Sequence, residues 1–238
     1  MPDKTSFLTF LTHSLSASGA IIALFALDAV YIGAWERTFL WLGLALIIDG
    51  IDGPIARWVG VKNRSRFSGA RIDLIVDYLN YVFVPAIAFI KLAFLPFVPS
   101  LVLASFMLLS ALFHFSDTMS KSEDHSFLGF PAIWNVVVFY LIIFQPSALL
   151  TFTIISLFAA LTFLPLRWSH PFRNRRFRSL TLIATMAGAM AALWILNVGF
   201  PAPAPAARII LAVAAFYGLI LVILNATIWR DVRGIDEL

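Results

Sequence analysis

Asp49-Gly50-Ile51-Asp52-Gly53-Pro54-Ile55-Ala56-Arg57 and, after a gap of 11 residues, Gly69-Ala70-Arg71-Ile72-Asp73-Leu74-Ile75-Val76-Asp77 set four aspartates in two short polar islands within apolar sequence. A carboxylate at membrane depth costs on the order of several kcal/mol, so intramembrane acids occur where they pair, bind ions or line a wet cavity. Asp49 and Asp52 are three residues apart and Asp73 and Asp77 four, so in helices each pair shares one face about one turn apart. Two such faces can converge on one pocket, where the carboxylates repel unless divalent cations or basic side chains neutralise them. The four aspartates point to a metal site.

The sequence around them sets the compartment. The chain has 238 residues, 61% hydrophobic and 13% charged, with a mean hydropathy of +0.92, whereas an ordinary soluble domain carries roughly 25% charged residues. This is the composition of an integral membrane protein. The absence of cysteine excludes disulfides, thiolate metal ligands and cysteine nucleophiles. The net charge of +4 does not call for nucleic acid. The basic residues lie in short loops without interleaved aromatic platforms, and an anionic lipid surface accounts for them more economically. The amino terminus carries one lysine and no clear small-x-small cleavage site, which predicts a retained first helix rather than a signal peptide.

At about 20 apolar residues per span, helices are predicted over 9–33, 38–56, 72–94, 98–117, 130–145, 147–166, 179–199 and 207–229. The expected fold is all-α: one membrane-embedded domain over 1–238, a polytopic bundle of about eight transmembrane helices. The fifth segment is short, and Gln145-Pro146-Ser147 alone separates it from the sixth, so seven spans or a re-entrant segment is the alternative. With eight spans and the amino terminus inside, Lys4, Arg57, Lys62, Arg64, Arg66, Arg71, Lys121, Arg167, Arg173, Arg175, Arg176, Arg178, Arg230 and Arg233 fall on the inner side. Arg37, Lys91 and Arg208 fall outside. This partition predicts cytoplasmic termini and a cytoplasmic aspartate face. The Pro201-Ala-Pro-Ala-Pro205 run predicts a stiff connector between the last two helices.

All-oxygen ligation favours magnesium, manganese or calcium over zinc, and magnesium commonly combines protein carboxylates with substrate phosphates. Arg57 and Arg71 beside the pairs supply the guanidinium half of a diphosphate site. Gly53, Ala56 and Gly69 are small where a helix or a nucleotide must approach closely. A divalent-cation transporter would also use intramembrane aspartates, but it requires a route exposing them to both sides. A purely structural role explains neither the paired spacing nor the intervening arginine.

These residues resemble the signature of the CDP-alcohol phosphotransferase family, Asp-x-x-Asp-Gly-x-x-Ala-Arg followed by Gly-x-x-x-Asp-x-x-x-Asp. The matching residues are Asp49, Asp52, Gly53, Ala56, Arg57, Gly69, Asp73 and Asp77. The gap holding Lys62, Asn63, Arg64, Ser65 and Arg66 is longer than the family's usual spacing. It lies outside the carboxylate pairs and leaves the metal geometry intact. Likeness to the bacterial branch of the family that uses choline extends over His13 to Gly19, Lys121-Ser-Glu-Asp124 and Phe127-Leu-Gly-Phe-Pro-Ala-Ile-Trp-Asn135.

The resemblance implies a six-helix catalytic core in a bacterial inner membrane, with two Mn2+ or Mg2+ ions on Asp49, Asp52, Asp73 and Asp77, the last also a general base. It assigns Gly53, Ala56 and Arg57 to the CDP moiety of the donor. Gly69 and Arg71 are expected at the same CDP and diphosphate site. The implied partners are CDP-diacylglycerol, choline, CMP and membrane phospholipids, with serine, inositol or glycerol phosphate as alternative acceptors and a homodimer as the assembly. A quaternary ammonium has no hydrogen-bond donor and is held by aromatic faces or carboxylates, for which Tyr78, Tyr81, Glu123, Asp124, Phe130, Trp134 and Asn135 are the candidates.

Overall fold

The computed structural model describes residues 4–60, 67–117, 127–164, 166–168 and 178–236. Eight helices follow one another: α1 (Lys4–Tyr31), α2 (Trp35–Val59), α3 (Gly69–Leu92), α4 (Phe97–Ser116), α5 (Trp134–Phe144), α6 (Ala148–Leu161), α7 (Arg178–Val198) and α8 (Pro205–Asp236). Their ends have local causes. Gly33, at φ 74°, turns the chain between α1 and α2. Gly60 closes α2 in the left-handed region, its N–H donating to the carbonyls of Ala56 and Arg57. Ser68 caps α3 by accepting from the Arg71 N–H, and Ser147 caps α6 by accepting from the Leu150 N–H.

Among the described residues, six helices are long and apolar enough to cross a membrane: α1 to α4, α7 and α8. Their outward faces carry large apolar side chains such as Phe113, Met190 and Val213, each more than 60% exposed, which suits a lipid solvent and no aqueous one. The remaining two correct the expectation of eight full spans. Positive φ at Gly129 (77°) and Ala132 (56°), with Pro131 between them, delays α5 to Trp134, and a left-handed Gln145 before Pro146 ends it. With 11 and 14 residues, α5 and α6 reach about 16 and 21 Å, short of the roughly 30 Å hydrocarbon core. The polytopic all-α bundle therefore holds, with eight helices of which six have spanning length.

The chain divides into two compact units, Met1–Ala104 with Trp134–Phe139, and Ser105–Ile133 with Tyr140–Leu238. In the first, α1 packs along α2 and against α3 around Ala26, Val30, Leu42, Val82 and Phe89, all fully or almost fully buried. Phe39 meets Phe139 edge-on at 5.1 Å. In the second, α7 packs on α8, the Tyr140 hydroxyl donates to the Leu211 carbonyl (3.0 Å), and the Thr181 and Tyr217 hydroxyls share a hydrogen bond. The second unit also has a two-residue antiparallel pairing of Phe127–Leu128 with Arg167–Trp168, which hydrophobic periodicity over so short a stretch cannot signal.

Candidate metal centre

The centre lies in the first unit, where the second half of α2 faces the first half of α3. Helical spacing puts Asp49 and Asp52 on one face of α2, and the packing of α1 and α3 turns that face inward. Asp52 is 7% exposed; Asp49, Asp73 and Asp77 are half-buried. One carboxylate oxygen from each of Asp49, Asp52 and Asp73 lies within 4.8 Å of the others. Asp77 lines the same small cavity, one turn further along α3, with Ser16, Gly19, Asn80 and Tyr81. Directly after Asp77 the helix widens into a π-helical segment, Tyr78–Phe83, a local irregularity often found at functional sites. Tyr81 lies in this segment and reaches Asp49 on α2.

Hydrogen bonds from neighbouring helices orient the carboxylates. The Ser16 hydroxyl on α1 donates to Asp52 Oδ2 at 2.5 Å, and the Tyr81 hydroxyl donates to Asp49 Oδ2 at 2.8 Å. Asn80 ties α3 to α1, its Nδ2 donating to the carbonyls of Gly19 and Val76 at 3.0 Å each. That link needs a glycine: a Cβ on Gly19 would stand 2.4 Å from Val76 Cγ1. Ser16 and Asn80 were not among the expected site residues. Ser16 lies within the His13–Gly19 stretch that carries the family likeness, where a serine near Gly19 reads as a packing residue, and Asn80 is a lone amide in apolar sequence after Asp77.

The oxygens fit a hard divalent cation. Oxygens on opposite sides of Mg2+ are about 4.2 Å apart and around Ca2+ about 4.6–5.2 Å, so a 4.8 Å spread among three carboxylates needs little closure. The cavity of ≈ 10 Å³ has room for about one water-sized sphere. The trio Asp49, Asp52 and Asp73 can therefore coordinate one divalent ion.

Residues 5–166 match the profile of the CDP-alcohol phosphatidyltransferase family. The chain belongs to that family. It is an enzyme of this transferase type and resembles several proteins named phosphatidylcholine synthase. That of Pseudomonas aeruginosa is 35% identical over 222 residues, 93% of this chain and 91% of the relative. That of Bradyrhizobium diazoefficiens is 39% identical over 192 residues, 80% of this chain and 72% of the relative. That of Mesorhizobium japonicum is 39% identical over 178 residues, 74% of this chain and 66% of the relative.

The other motif residues of this phosphatidyltransferase separate into packed and open positions. Gly69 is packed: a Cβ there would come within 2.7 Å of the buried His13 ring. Gly53 is open, since the nearest atom to an added Cβ is the flexible Arg57 Nη1 at 3.4 Å. Ala56 is half-buried, and Arg57 and Arg71 are exposed at the last turn of α2 and the first turn of α3. Tyr78 is half-buried at the start of the π-helical segment, and Tyr81 is committed to Asp49. Trp134 and Asn135 are buried at the start of α5 in the first unit, whereas Phe130 stacks on Phe158 (4.8 Å) in the second. Glu123 and Asp124 lie outside the described residues.

Proposed function

We propose that this enzyme transfers a phosphatidyl group from CDP-diacylglycerol to choline, giving phosphatidylcholine and CMP. The observation that carries the proposal is the convergence of Asp49, Asp52 and Asp73, with Asp77 in the same cavity, in a chain similar to proteins named phosphatidylcholine synthase. Divalent ions held there, two Mn2+ or Mg2+ shared by the four aspartates, would offset charge on the donor diphosphate and on the departing CMP. The choline hydroxyl oxygen forms a bond to the phosphorus bearing diacylglycerol. The bond from that phosphorus to the bridging oxygen breaks, CMP leaves with the electron pair, and the hydroxyl proton passes to Asp77.

The CDP moiety of the donor lies against Gly53, Ala56, Arg57 and Arg71, beside the packed Gly69. There the absent Gly53 side chain leaves space and the two exposed guanidinium groups can meet phosphate oxygens. Tyr78, Tyr81, Trp134 and Asn135 of the first unit remain the proposed choline contacts, supplying the aromatic faces that a quaternary ammonium requires. The site opens to the cytoplasm of a bacterial inner membrane, within one catalytic domain that forms a homodimer. The short α5 and α6 do not alter that orientation. Two crossings, or a re-entrant pair that enters and returns, both bring the chain back to the side from which α5 departs, so the arginine partition is the same.

The test is metal-dependent CMP release and lipid product formation from CDP-diacylglycerol with choline, serine, inositol and glycerol 3-phosphate presented separately, beside Asp77→Asn. Choline-dependent phosphatidylcholine formation that the variant lacks is the expected result. Turnover only with another alcohol overturns the acceptor, and a fully active Asp77→Asn overturns the base.

A further inference from the structure

A second site faces the lipid at the other end of α2. At their hairpin end α1 and α2 flank an open cleft of ≈ 600 Å³, within the size range of small-molecule sites. Phe25, Asp28 and Ile32 of α1 line it at one helical stripe, and Arg37, Trp41 and Leu44 of α2 line it at another. Asp28 lies three residues before the end of α1 and Arg37 two after the start of α2. From Arg37 to Asp49 is 12 residues, about 18 Å of helix, which separates the cleft from the metal centre by more than half a bilayer core.

We infer that this cleft binds one zwitterionic phospholipid, its headgroup at the hairpin end between Asp28 and Arg37 and its acyl chain along Trp41 and Leu44. Two features select that ligand. First, the charge is confined to the turn end: one acid and one base lie there among Ile32, Ala29 and Leu40, and the lining further in, the Phe25–Trp41 stack (centroids 5.1 Å apart) and Leu44, is wholly apolar. A lipid has the same gradient along its length and a soluble metabolite does not. Second, the charges come one of each sign, and neither side chain makes a hydrogen bond or ion pair with the described residues. Arg37 suits a phosphate, and Asp28 with the aromatic faces suits an ammonium. An anionic phospholipid would meet Arg37 through its phosphate equally well but would leave Asp28 without a cation. The inference stands on the hairpin alone and holds whichever alcohol the metal centre uses.

The experiment is photolabelling of the full-length protein in nanodiscs with diazirine-bearing phosphatidylcholine, phosphatidylethanolamine or phosphatidylglycerol, mapping labelled peptides by mass spectrometry. Either zwitterionic probe should label the stretch from residue 25 to residue 44 at least about tenfold more than phosphatidylglycerol. Asp28→Ala and Arg37→Gln should each reduce that labelling about tenfold, the scale of one charge-assisted contact. Both variants should retain CMP release within about twofold, since neither side chain is near the aspartates, and this also verifies folding. Equal labelling by the anionic probe, or labelling unchanged in both variants, would overturn the inference.

Discussion

Replacing Gly19 by alanine tests how the metal centre is held together. The added methyl would stand 2.4 Å from Val76 Cγ1, about 1 Å inside ordinary carbon–carbon contact. Val76 cannot swing aside freely, because a β-branched side chain in a helix keeps essentially one χ1 rotamer. The helices must separate instead, pulling the Gly19 carbonyl from Asn80 Nδ2 and Ser16 from Asp52. Overpacking of this kind costs about 1–3 kcal/mol, and the better helix propensity of alanine returns up to about 1, so global stability falls by about 0–2 kcal/mol. Catalysis is more sensitive, because a displacement near 1 Å can lower the rate on the order of 10²-fold. The assay is metal-dependent CMP release for Gly19→Ala, Val76→Ala and the double variant. Removing Cγ1 should restore most of the loss, a coupling of about 2.7 kcal/mol for two decades of rate. Wild-type activity in Gly19→Ala, or strictly additive effects in the double variant, would refute the proposed close contact as the reason for this glycine.

Three further perturbations separate orientation, packing and donor contact. Ser16→Ala and Tyr81→Phe each remove one donor to a carboxylate and should weaken Mn2+ binding, read by electron paramagnetic resonance, about 10–100-fold; Ser16→Thr should recover most of the first loss. Gly53→Ala should leave the thermal midpoint unchanged or slightly raised, because only Arg57 Nη1 lies near the new methyl, yet raise KM for CDP-diacylglycerol about tenfold. Gly129→Ala should yield little folded protein in size-exclusion chromatography, because its φ of 77° disfavours a side chain and the Cβ would sit 2.1 Å from the Thr162 carbonyl oxygen.

Much of this protein is legible without coordinates, for a physical reason: a membrane-spanning helix is dictated by its own residues, since each backbone group must be satisfied within the segment. All eight expected segments therefore start within about five residues of the observed helices, and Gly60 at the end of α2 and Ser68 at the start of α3 set two of the ends that differ. The four aspartates were equally legible, because spacing alone puts each pair on one helix face. That α5 is short was legible too, but its late start was not, since a left-handed Ala132 is a conformation that alanine rarely signals.

What only the tertiary structure decided is how the two aspartate pairs meet. Side chains remote in sequence close the centre: Ser16 is 36 residues from Asp52, and Tyr81 is 32 from Asp49. Periodicity along one helix carries no information about a partner on another. Whether Gly19, Gly53 and Gly69 are packed or open is likewise a property of the neighbouring helix. The sequence by itself determined a helical membrane enzyme with paired carboxylates; the packing of α1 against α3 determined which oxygens converge on one ion-sized cavity.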